Sequence, residues 1–518
     1  MRCGWQAERV TDDFEAAEFA RQFQAFLNDM GRLIPPERAP VRDMLVEHFG
    51  RATGDLPGVA EPLANAEHPN LQLALDELVD DHGWTAVGLP LGLRRYSGFS
   101  LASLATNRPV DFGFPPPRPG PVEYVNVQVG PDETLPCTQL ALYLGRWDDR
   151  PVAALVMSGD ERQMQPALTV EVLALDRDAA RGFLAMLRRR REALNIYRGR
   201  TLSFTYSRHG DFGLGFLDLA PIVRSDVILP EADLQAIEQH TIGITARADA
   251  LRAAKRHLKR GLLLYGPPGT GKTWSVTYLR NAMPERTTMV LNGGPGVELL
   301  GQAIALARSL QPAMVVIEDV DLVAAERMMP GRHSNPLLFQ LLNEMDGLAE
   351  DADVIFVLTT NRLELLEPAL AARPGRIDQS VEIKLPDADC RRRLLELYLA
   401  DVPTSDVDLT PLVDQSDGAS AAFVKELVRR AVLRASNDVT YARDEARREA
   451  IVDARARAGD PPLAAAPVPP TVHQRHLADA LTALTGSQSP ILRTLLGARR
   501  GDLDGAASAP GSAPPPTT

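Results

Sequence analysis

Short apolar runs alternate with amphipathic stretches in the second half of the chain. Four of these runs, GLLLYG, TTMVLNG, AMVVIEDVD and VIFVLTTN, contain few polar residues. Runs of this kind, separated by helices, are typical of buried strands in a parallel sheet that is covered on both faces. The pattern predicts an α/β domain over 226–388. A mostly helical domain, rich in Arg and Ala, is predicted over 389–490.

The N-terminal region shows helical spacing of its apolar residues. Phe14, Phe19, Phe23 and Phe26 recur on one helical face, and we expect this aromatic stripe to be buried in a core. A helical domain is therefore predicted over 1–114.

A proline-rich stretch, PPPRPGP, can continue neither a helix nor a central strand, so it indicates a boundary. After it, VEYVNVQV, TQLALYLG, PVAALVM and ALTVEVLAL have the pattern of strands. A helix near 177–197 and the strand TLSFTYS follow. The prediction is a small α/β or α+β adaptor domain over 121–225.

The balance of acidic and basic residues indicates which classes of partner the chain is suited to bind. Acidic residues outnumber basic ones by 68 to 56, which disfavours nucleic-acid binding because phosphate contacts need a basic surface. The basic run Arg188 to Arg191 is interpreted as a solvated helix face in preference to a polyanion site. The tail over 491–518 ends in DGAASAPGSAPPPTT, has little to bury, and is expected to be disordered.

Three widely spaced cysteines without a CxxC pair indicate a reducing cytoplasm rather than a disulfide framework or zinc site. No apolar run approaches the length of a membrane span, and the acidic start does not have the pattern of a secretory signal.

The segment GLLLYGPPGTGKTWSVTYL predicts a strand, a glycine-rich loop and a helix. Its Gly-x4-Gly-Lys-Thr spacing is that of a P-loop, in which backbone N–H groups and the helix N-terminus bind phosphates. Lys272 would reach the β- and γ-phosphates of ATP, and the Thr273 hydroxyl would bind Mg²⁺. The candidate nucleotide-binding residues here are Gly266, Pro267, Pro268, Gly269, Thr270, Gly271, Lys272, Thr273 and Trp274.

The apolar run AMVVIEDVD ends in acidic residues. In an open α/β sheet, such a strand end lies beside the phosphate loop. We expect Glu318 to hold Mg²⁺, through water, and Asp319 to polarise the attacking water.

Over about 226–436 the chain resembles the AAA family of AAA+ P-loop ATPases. The motifs that carry the resemblance are GPPGTGKT, LLNEMDGL, VIFVLTTNR and LEPALAARPGRIDQSVEIKLPD. The resemblance implies that Asn361 senses the γ-phosphate. It also implies that Arg373 and Arg376 act on the ATP of a neighbouring subunit, so that a homo-oligomeric ring is expected, by family default a hexamer.

The same resemblance implies two further nucleotide contacts. Ile242 and Gly243, in HTIGI, fall where the family binds adenine, and Gly418 and Ala419 fall at the lid helix.

The chain departs from the family pattern at two places. The acidic strand ends Glu318-Asp319 where the family usually has Asp-Glu, an order similar to the subfamily of the mitochondrial Rieske-protein translocase. The stretch LNGGPGVELLGQ has Leu299, Leu300 and Gly301 where peptide-threading members carry an aromatic pore loop. The ending PPPTT also lacks the hydrophobic–Tyr–any motif with which proteasomal ATPases dock on a peptidase.

The sequence therefore predicts an ATP- and Mg²⁺-dependent ATPase that remodels a protein partner bound by its N-terminal domains. The main alternative is an ATP-gated oligomeric scaffold with slow hydrolysis. A nucleic-acid remodeller is a third hypothesis, which the acidic balance disfavours.

Overall fold

The computed structural model describes most of the chain in two compact units, Met1–Ile196 and Tyr197–Thr518. Described residues are 39–95, 99–106, 117–158, 168–206, 212–292, 299–321, 352–366, 377–438 and 469–485, with isolated residues in 18–26, 341–347 and 446–450. The tail predicted to be disordered, 491–518, lies outside the described residues. Within the described residues, no helix has the length and apolar character needed to cross a bilayer.

The first unit is built on a five-stranded antiparallel sheet with the order β1-β7-β6-β5-β2. A separate hairpin is formed by β3 and β4. The strands are β1 Gly58–Leu63, β2 Thr85–Gly88, β3 Tyr124–Gln128, β4 Thr134–Thr138, β5 Leu140–Trp147, β6 Arg150–Met157 and β7 Leu168–Ala174. The helices are α1 Pro40–Phe49, α2 His68–His82, α3 Leu101–Thr106 and α4 Arg177–Ala193.

Helices cover both faces of this sheet. One core contains residues of α2 and α4 together with Ala141 and Tyr143 of β5. The other contains residues of α1 and α3 together with Leu140 and Leu142 of the same strand. The period-2 alternation along β5 therefore supplies apolar side chains to both layers.

The predicted boundary between a helical domain and an adaptor domain is wrong, because one sheet draws strands from both regions. Strands β1 and β2 come from 1–114, and they pair with β7 and β5 from 121–225. Strand β1 was not predicted from the sequence. Its residues, GVAEPL, include Glu61 and Pro62, which are uncommon in strands. Such residues are tolerated at a sheet edge, where one side of the backbone needs no partner.

The aromatic stripe near the N-terminus is not buried where the structure describes it. Phe19, Phe23 and Phe26 are 68%, 50% and 57% exposed, so the prediction of a core position is wrong for these three residues. Phe14 lies outside the described residues. The basic run on α4 pairs with acidic side chains, since Arg188 and Arg191 both contact Glu61. Arg188 is exposed, as a solvated helix face requires, but Arg191 is buried and also contacts Glu67, so the interpretation is wrong for Arg191.

The second unit contains a seven-stranded sheet with the order β14-β10-β13-β12-β11-β8-β9. All neighbours are parallel except β9, which is antiparallel to β8 at one edge. The strands are β8 Thr201–Tyr206, β9 Phe212–Phe216, β10 Arg260–Tyr265, β11 Thr287–Asn292, β12 Ala313–Glu318, β13 Val354–Thr360 and β14 Gln379–Glu382. The helices of this part are α5 Glu231–His240, α6 Ile242–Thr245, α7 Ala248–Ala253, α8 Lys272–Ala282 and α9 Leu300–Ser309.

The four apolar runs predicted as parallel strands are β10, β11, β12 and β13. The segment TLSFTYS is a strand as predicted, but it does not belong to the adaptor domain. As β8 it pairs with Thr288–Val290 of β11 and extends the parallel sheet. The predicted boundary at 225 therefore lies too late in the chain, because β8 and β9, over 201–216, belong to the seven-stranded sheet.

A helical subdomain follows the parallel sheet, as the Arg- and Ala-rich pattern predicts. Among the described residues, its core contains side chains from four helices and Val472 of the strand pair β15–β16. The elements are α10 Ala388–Leu399, β15 Thr404–Ser405, α11 Thr410–Gln415, α12 Ala421–Ser436, β16 Val472–His473 and α13 Gln474–Thr485.

A buried ion pair ties together the amino ends of three central strands. The Arg286 side chain is 1% exposed, and its guanidinium lies 2.6 Å from Asp353 Oδ1. Arg286 also donates to the Ala313 carbonyl and to Thr245 Oγ1. Because Arg286, Ala313 and Asp353 lie at the starts of β11, β12 and β13, this arginine holds their ends in register.

We expect Arg286→Met to lower the free energy of unfolding of the parallel sheet by about 3 kcal/mol, because Asp353 would lose its buried partner and keep only the half-exposed Arg252, at 3.0 Å. Amide hydrogen exchange in β12 of the full chain measures this change. The control is Arg308→Met, whose partner Glu344 lies 3.9 Å away with both side chains exposed. The control should cost less than about 1 kcal/mol, and equal losses in the two variants would contradict the assigned role of Arg286.

Candidate nucleotide-binding site

The loop predicted to bind phosphate connects β10 to α8 and has glycine at its tight positions. Gly266 has a φ of 145°, and a Cβ on it would lie 2.2 Å from the Ile383 carbonyl oxygen. Gly269 has a φ of 74°, and its Cβ would meet Ala422 at 2.9 Å. Both positions therefore exclude larger residues, by backbone conformation and by space. The helix N-terminus that follows the loop favours a bound phosphate.

Lys272 lies inside the curve of this loop. Its ammonium donates to the carbonyl oxygens of Gly266 and Pro267, each at 2.9 Å. Burial lowers the pKa of Lys272 to about 8, against the opposing influence of the Asp319 and Asp321 carboxylates. A phosphate group at this position would favour the charged ammonium.

Glu318 and Thr273 face one another across the loop. Glu318 is the last residue of β12. Burial raises the pKa of Glu318, and the nearby Thr273 hydroxyl opposes this shift. A half-buried carboxylate beside a hydroxyl is a donor set that suits Mg²⁺.

Asp319 follows with a left-handed backbone, φ 47°. The Asn361 side-chain amide donates to Asp319 Oδ1 at 3.1 Å, and the Asp319 amide donates to Thr359 Oγ1. The ends of β12 and β13 thus place the two predicted catalytic side chains in contact. Both residues line the cleft together with Lys272.

Asp321, the last acid of the Glu-Asp-Val-Asp sequence, is 4% exposed. It accepts hydrogen bonds from Thr360 Oγ1 at 2.8 Å and from the Asn361 backbone amide at 3.2 Å. Asp321 therefore fixes the backbone that presents Asn361. Sequence analysis did not assign this residue, although the acidic pattern contained it.

A cleft of about 370 Å³ opens over the loop, a volume in the range of small-molecule sites. Most of the predicted phosphate-binding residues line it, from Pro268 to Trp274. Its other walls come from a segment before α5 and from helices α10 and α12, whose lining residues are Asp226, Val227, Ile228, Leu229, Leu394, Tyr398, Ala421, Ala422 and Lys425.

The predicted adenine contacts at Ile242 and Gly243 are not part of this cleft. Ile242 begins the short helix α6 and packs against the core beneath the sheet. The segment that lines the cleft is Asp226–Leu229, 16 residues earlier than the predicted pair (242 minus 226). Val227 and Leu229 are buried and Ile228 is partly buried. The apolar residues VIL before Pro230 are therefore the sequence feature from which this contact could have been predicted.

The lid contact is displaced by three residues from the prediction. Gly418 adopts a φ of 74° and Ala419 packs into the helical core, and neither lines the cleft. Ser420 caps α12, and Ala421 and Ala422 line the cleft. The Ala422 amide donates to the Gly269 carbonyl at 3.0 Å, which joins the lid to the phosphate loop.

Besides these two segments, the sequence did not predict four residues that line the cleft: Ser275 on α8, Leu394 and Tyr398 on α10, and Lys425 on α12. Helices α10 and α12 have an ordinary amphipathic pattern, and only the way the lid packs brings these faces to the cleft.

Two further predictions concern the action of a ring on its ATP and on a polypeptide. Arg373 and Arg376, which were predicted to act on the ATP of a neighbouring subunit, lie outside the described residues. Leu299 and Leu300 are 1% and 0% exposed, so neither side chain is available to grip a polypeptide. The stretch just before them, 293–298, is also outside the described residues.

Known proteins match the part of the chain that contains this cleft. The family described as "ATPase family associated with various cellular activities (AAA)" matches residues 262–385. A proteasome-activating nucleotidase of Methanopyrus kandleri is 36% identical over 190 residues, which cover 34% of this chain and 43% of that protein. A 26S proteasome regulatory subunit 6B homolog of Dictyostelium discoideum is 35% identical over 196 residues, covering 35% of this chain and 48% of the other.

The chain spans a little under half the length of the curated relatives it matches. Residues 1–196, with their own antiparallel sheet, form a unit separate from the matched domain. The matched segment begins in β10, ends just beyond β14, and contains the phosphate loop, the acidic strand end and Asn361. Residues 262–385 therefore form an ATPase domain of the AAA family of P-loop ATPases.

Proposed function

We propose that this chain hydrolyses ATP and, as a homo-oligomeric ring, couples hydrolysis to the remodelling of a protein partner. The observation that carries the proposal is that Lys272, Thr273, Asp319 and Asn361 line one cleft, with Glu318 close to Thr273 at the end of β12. A phosphate-binding loop, a metal-binding pair and a carboxylate held by an amide are the groups that ATP hydrolysis requires.

Mg²⁺ fits the residues present. Among the described residues, no group of three or more His, Cys, Asp or Glu side chains is placed to hold a metal ion. Thr273 and Glu318 would therefore hold the ion together with the nucleotide phosphates, which is how Mg²⁺ is usually bound at such sites. When bound, Mg²⁺ neutralises charge on the β- and γ-phosphates.

Each remaining residue has a distinct task in this mechanism. The loop amides and Lys272 bind the phosphates and orient the γ-phosphate for attack. Asp319 accepts the proton of the attacking water, and Asn361 holds the Asp319 carboxylate in place through its 3.1 Å hydrogen bond. Asp321 positions Asn361 through the backbone.

A ring would complete the site. By family resemblance, Arg373 and Arg376 reach the ATP of the neighbouring subunit, where a guanidinium stabilises charge on the transferred phosphoryl group and contributes about 10³-fold or more in rate. Six subunits are proposed as the family default.

A protein substrate is favoured because the relatives include proteins named for activating or regulating the proteasome. The burial of Leu299 and Leu300 favours remodelling without an aromatic grip at this position. We propose that residues 1–196, an independent compact unit, select the partner. Cys137 and Cys390 are buried free thiols, which fits the proposed cytoplasmic location.

The alternative function is an ATP-gated scaffold that assembles on ATP and hydrolyses it slowly. It is favoured by one observation, the short Asp319 carboxylate on a left-handed backbone where the family usually has Glu.

Turnover as a function of protein concentration tests the proposal. We expect the ATPase rate per subunit to rise with concentration, and Lys272→Ala, Asp319→Asn and Arg376→Ala each to abolish it. A 1:1 mixture of Lys272→Ala with Arg376→Ala should regain part of the activity, because some interfaces would pair an intact pocket with an intact arginine.

A wild type that binds ATP but turns over no faster than Asp319→Asn would support the scaffold instead. If the mixed variants stay inactive while both assemble with wild type, the arginine is not supplied by a neighbour.

The role of Asp321 predicts a separate effect on turnover. Asp321→Ala leaves the Thr360 hydroxyl and the Asn361 amide without their acceptor, at a cost of about 1–3 kcal/mol. We expect kcat to fall by about tenfold or more while the affinity for ATP changes little. Asp321→Asn keeps one acceptor oxygen and should restore most of the rate.

The control for this prediction is Glu364→Ala, which breaks the exposed ion pair with Arg362 next to the same loop. Its steady-state kinetics should match wild type. A loss of ATP affinity in Asp321→Ala that equals the loss of kcat would show general damage to the site rather than misplacement of Asn361.

A further inference from the structure

Trp274 places a large aromatic surface at the edge of the cleft. It is the third residue of α8, directly after Thr273, and remains 38% exposed. Its indole Nε1 donates to the Asp226 carbonyl at 3.0 Å, which fixes the orientation of the ring. An indole held by its polar edge, with much of its surface exposed in a cleft, is suited to stacking.

Lys425 of the lid lies over this ring. Its ammonium is 5.4 Å from the ring centroid, within the range of a cation–π contact. Lys425 is one helical turn beyond Ala422, whose amide is bonded to the phosphate loop. The lid helix α12 therefore contacts the phosphate-loop segment twice, at Gly269 and at Trp274.

The surroundings of the ring suit a flat aromatic ligand. Trp274 and Lys425 both line the cleft, and Val227, Leu229, Leu394 and Tyr398 add apolar side chains to its lining. A ligand that stacks on the indole would therefore occupy the space of the ammonium. Trp274 follows Lys272 by two residues on α8, and both line the cleft, so phosphates bound at Lys272 lie in the same cleft as the exposed ring.

We propose that Trp274 is the stacking surface for the base of the bound nucleotide, and that the base and Lys425 exchange on this ring. Occupancy by the base thus releases one of the two contacts between the lid helix and the phosphate-loop segment. Because stacking increases with ring area, purine nucleotides should bind more tightly than pyrimidine nucleotides. The inference rests on the proposed function, since it concerns the same cleft.

Dissociation constants of the full chain with Mg²⁺ and ATP, CTP or inorganic tripolyphosphate test this inference by calorimetry. Stacking of one base contributes about 1–3 kcal/mol, so Trp274→Ala should weaken ATP binding by about 5- to 140-fold. Binding of tripolyphosphate, which has no base, should stay the same. Trp274→Phe keeps an aromatic face and should keep most of the ATP affinity.

Lys425→Met tests the exchange. The variant keeps a long side chain without the charge, so ATP should bind a few-fold more tightly and tripolyphosphate equally. A tryptophan fluorescence change on ATP binding should vanish in Trp274→Phe. It should persist in the control Trp147→Phe, which changes a tryptophan of the antiparallel sheet.

Three results would overturn the inference while leaving ATP binding intact. These are unchanged ATP affinity in Trp274→Ala, an equal loss for ATP and tripolyphosphate in that variant, or weaker tripolyphosphate binding in Lys425→Met. Failure of the wild type to bind either ATP or tripolyphosphate would instead refute the proposed function, and the inference with it.

Discussion

The parallel, fully covered arrangement of β10, β12 and β13 is the constraint on which the site depends. Parallel strands all end at one edge, so the phosphate loop, the acids after β12 and the amide after β13 must meet there. The ion pair of Arg286 and Asp353 secures the opposite ends of the same strands. The strand register that this ion pair fixes determines how far each strand extends toward the cleft. The buried pair therefore contributes to the geometry of the cleft, although it lies at the opposite ends of the strands.

The lid converts this edge into a cleft. Its link to the loop is a backbone hydrogen bond from Ala422 to Gly269, which is possible because both residues are small. A Cβ at Gly269 would press on Ala422, so loop sequence and lid sequence constrain one another. The lid can therefore respond to what the loop binds, since any shift of the glycine carbonyl is transmitted to the first turn of α12.

Sequence analysis identified features whose chemistry is local and missed those created by packing. The loop from Gly266 to Thr273 and the acids after β12 were predictable, because each motif carries its geometry within a few residues. The contact at Asp226–Leu229 and the side chain of Lys425 were not, since distant segments reach the cleft only through the fold. Strand β8 was recognised as a strand, but its partner β11 follows about 85 residues later (201 to 287), and local alternation contains no information about pairing.

The order Glu318-Asp319 has a physical reason in the backbone. The second acid has a φ of 47°, and short polar residues such as Asp adopt this left-handed region more readily than longer ones. The chain turns sharply as it leaves β12, and this turn directs a shorter carboxylate toward Asn361. A longer first acid, Glu318, still reaches the Thr273 hydroxyl from the strand end. The backbone at Asp319 therefore suits the exchange of Asp and Glu relative to the family pattern. The two acids keep separate positions, with Glu318 close to Thr273 and Asp319 bonded to the side-chain amide of Asn361.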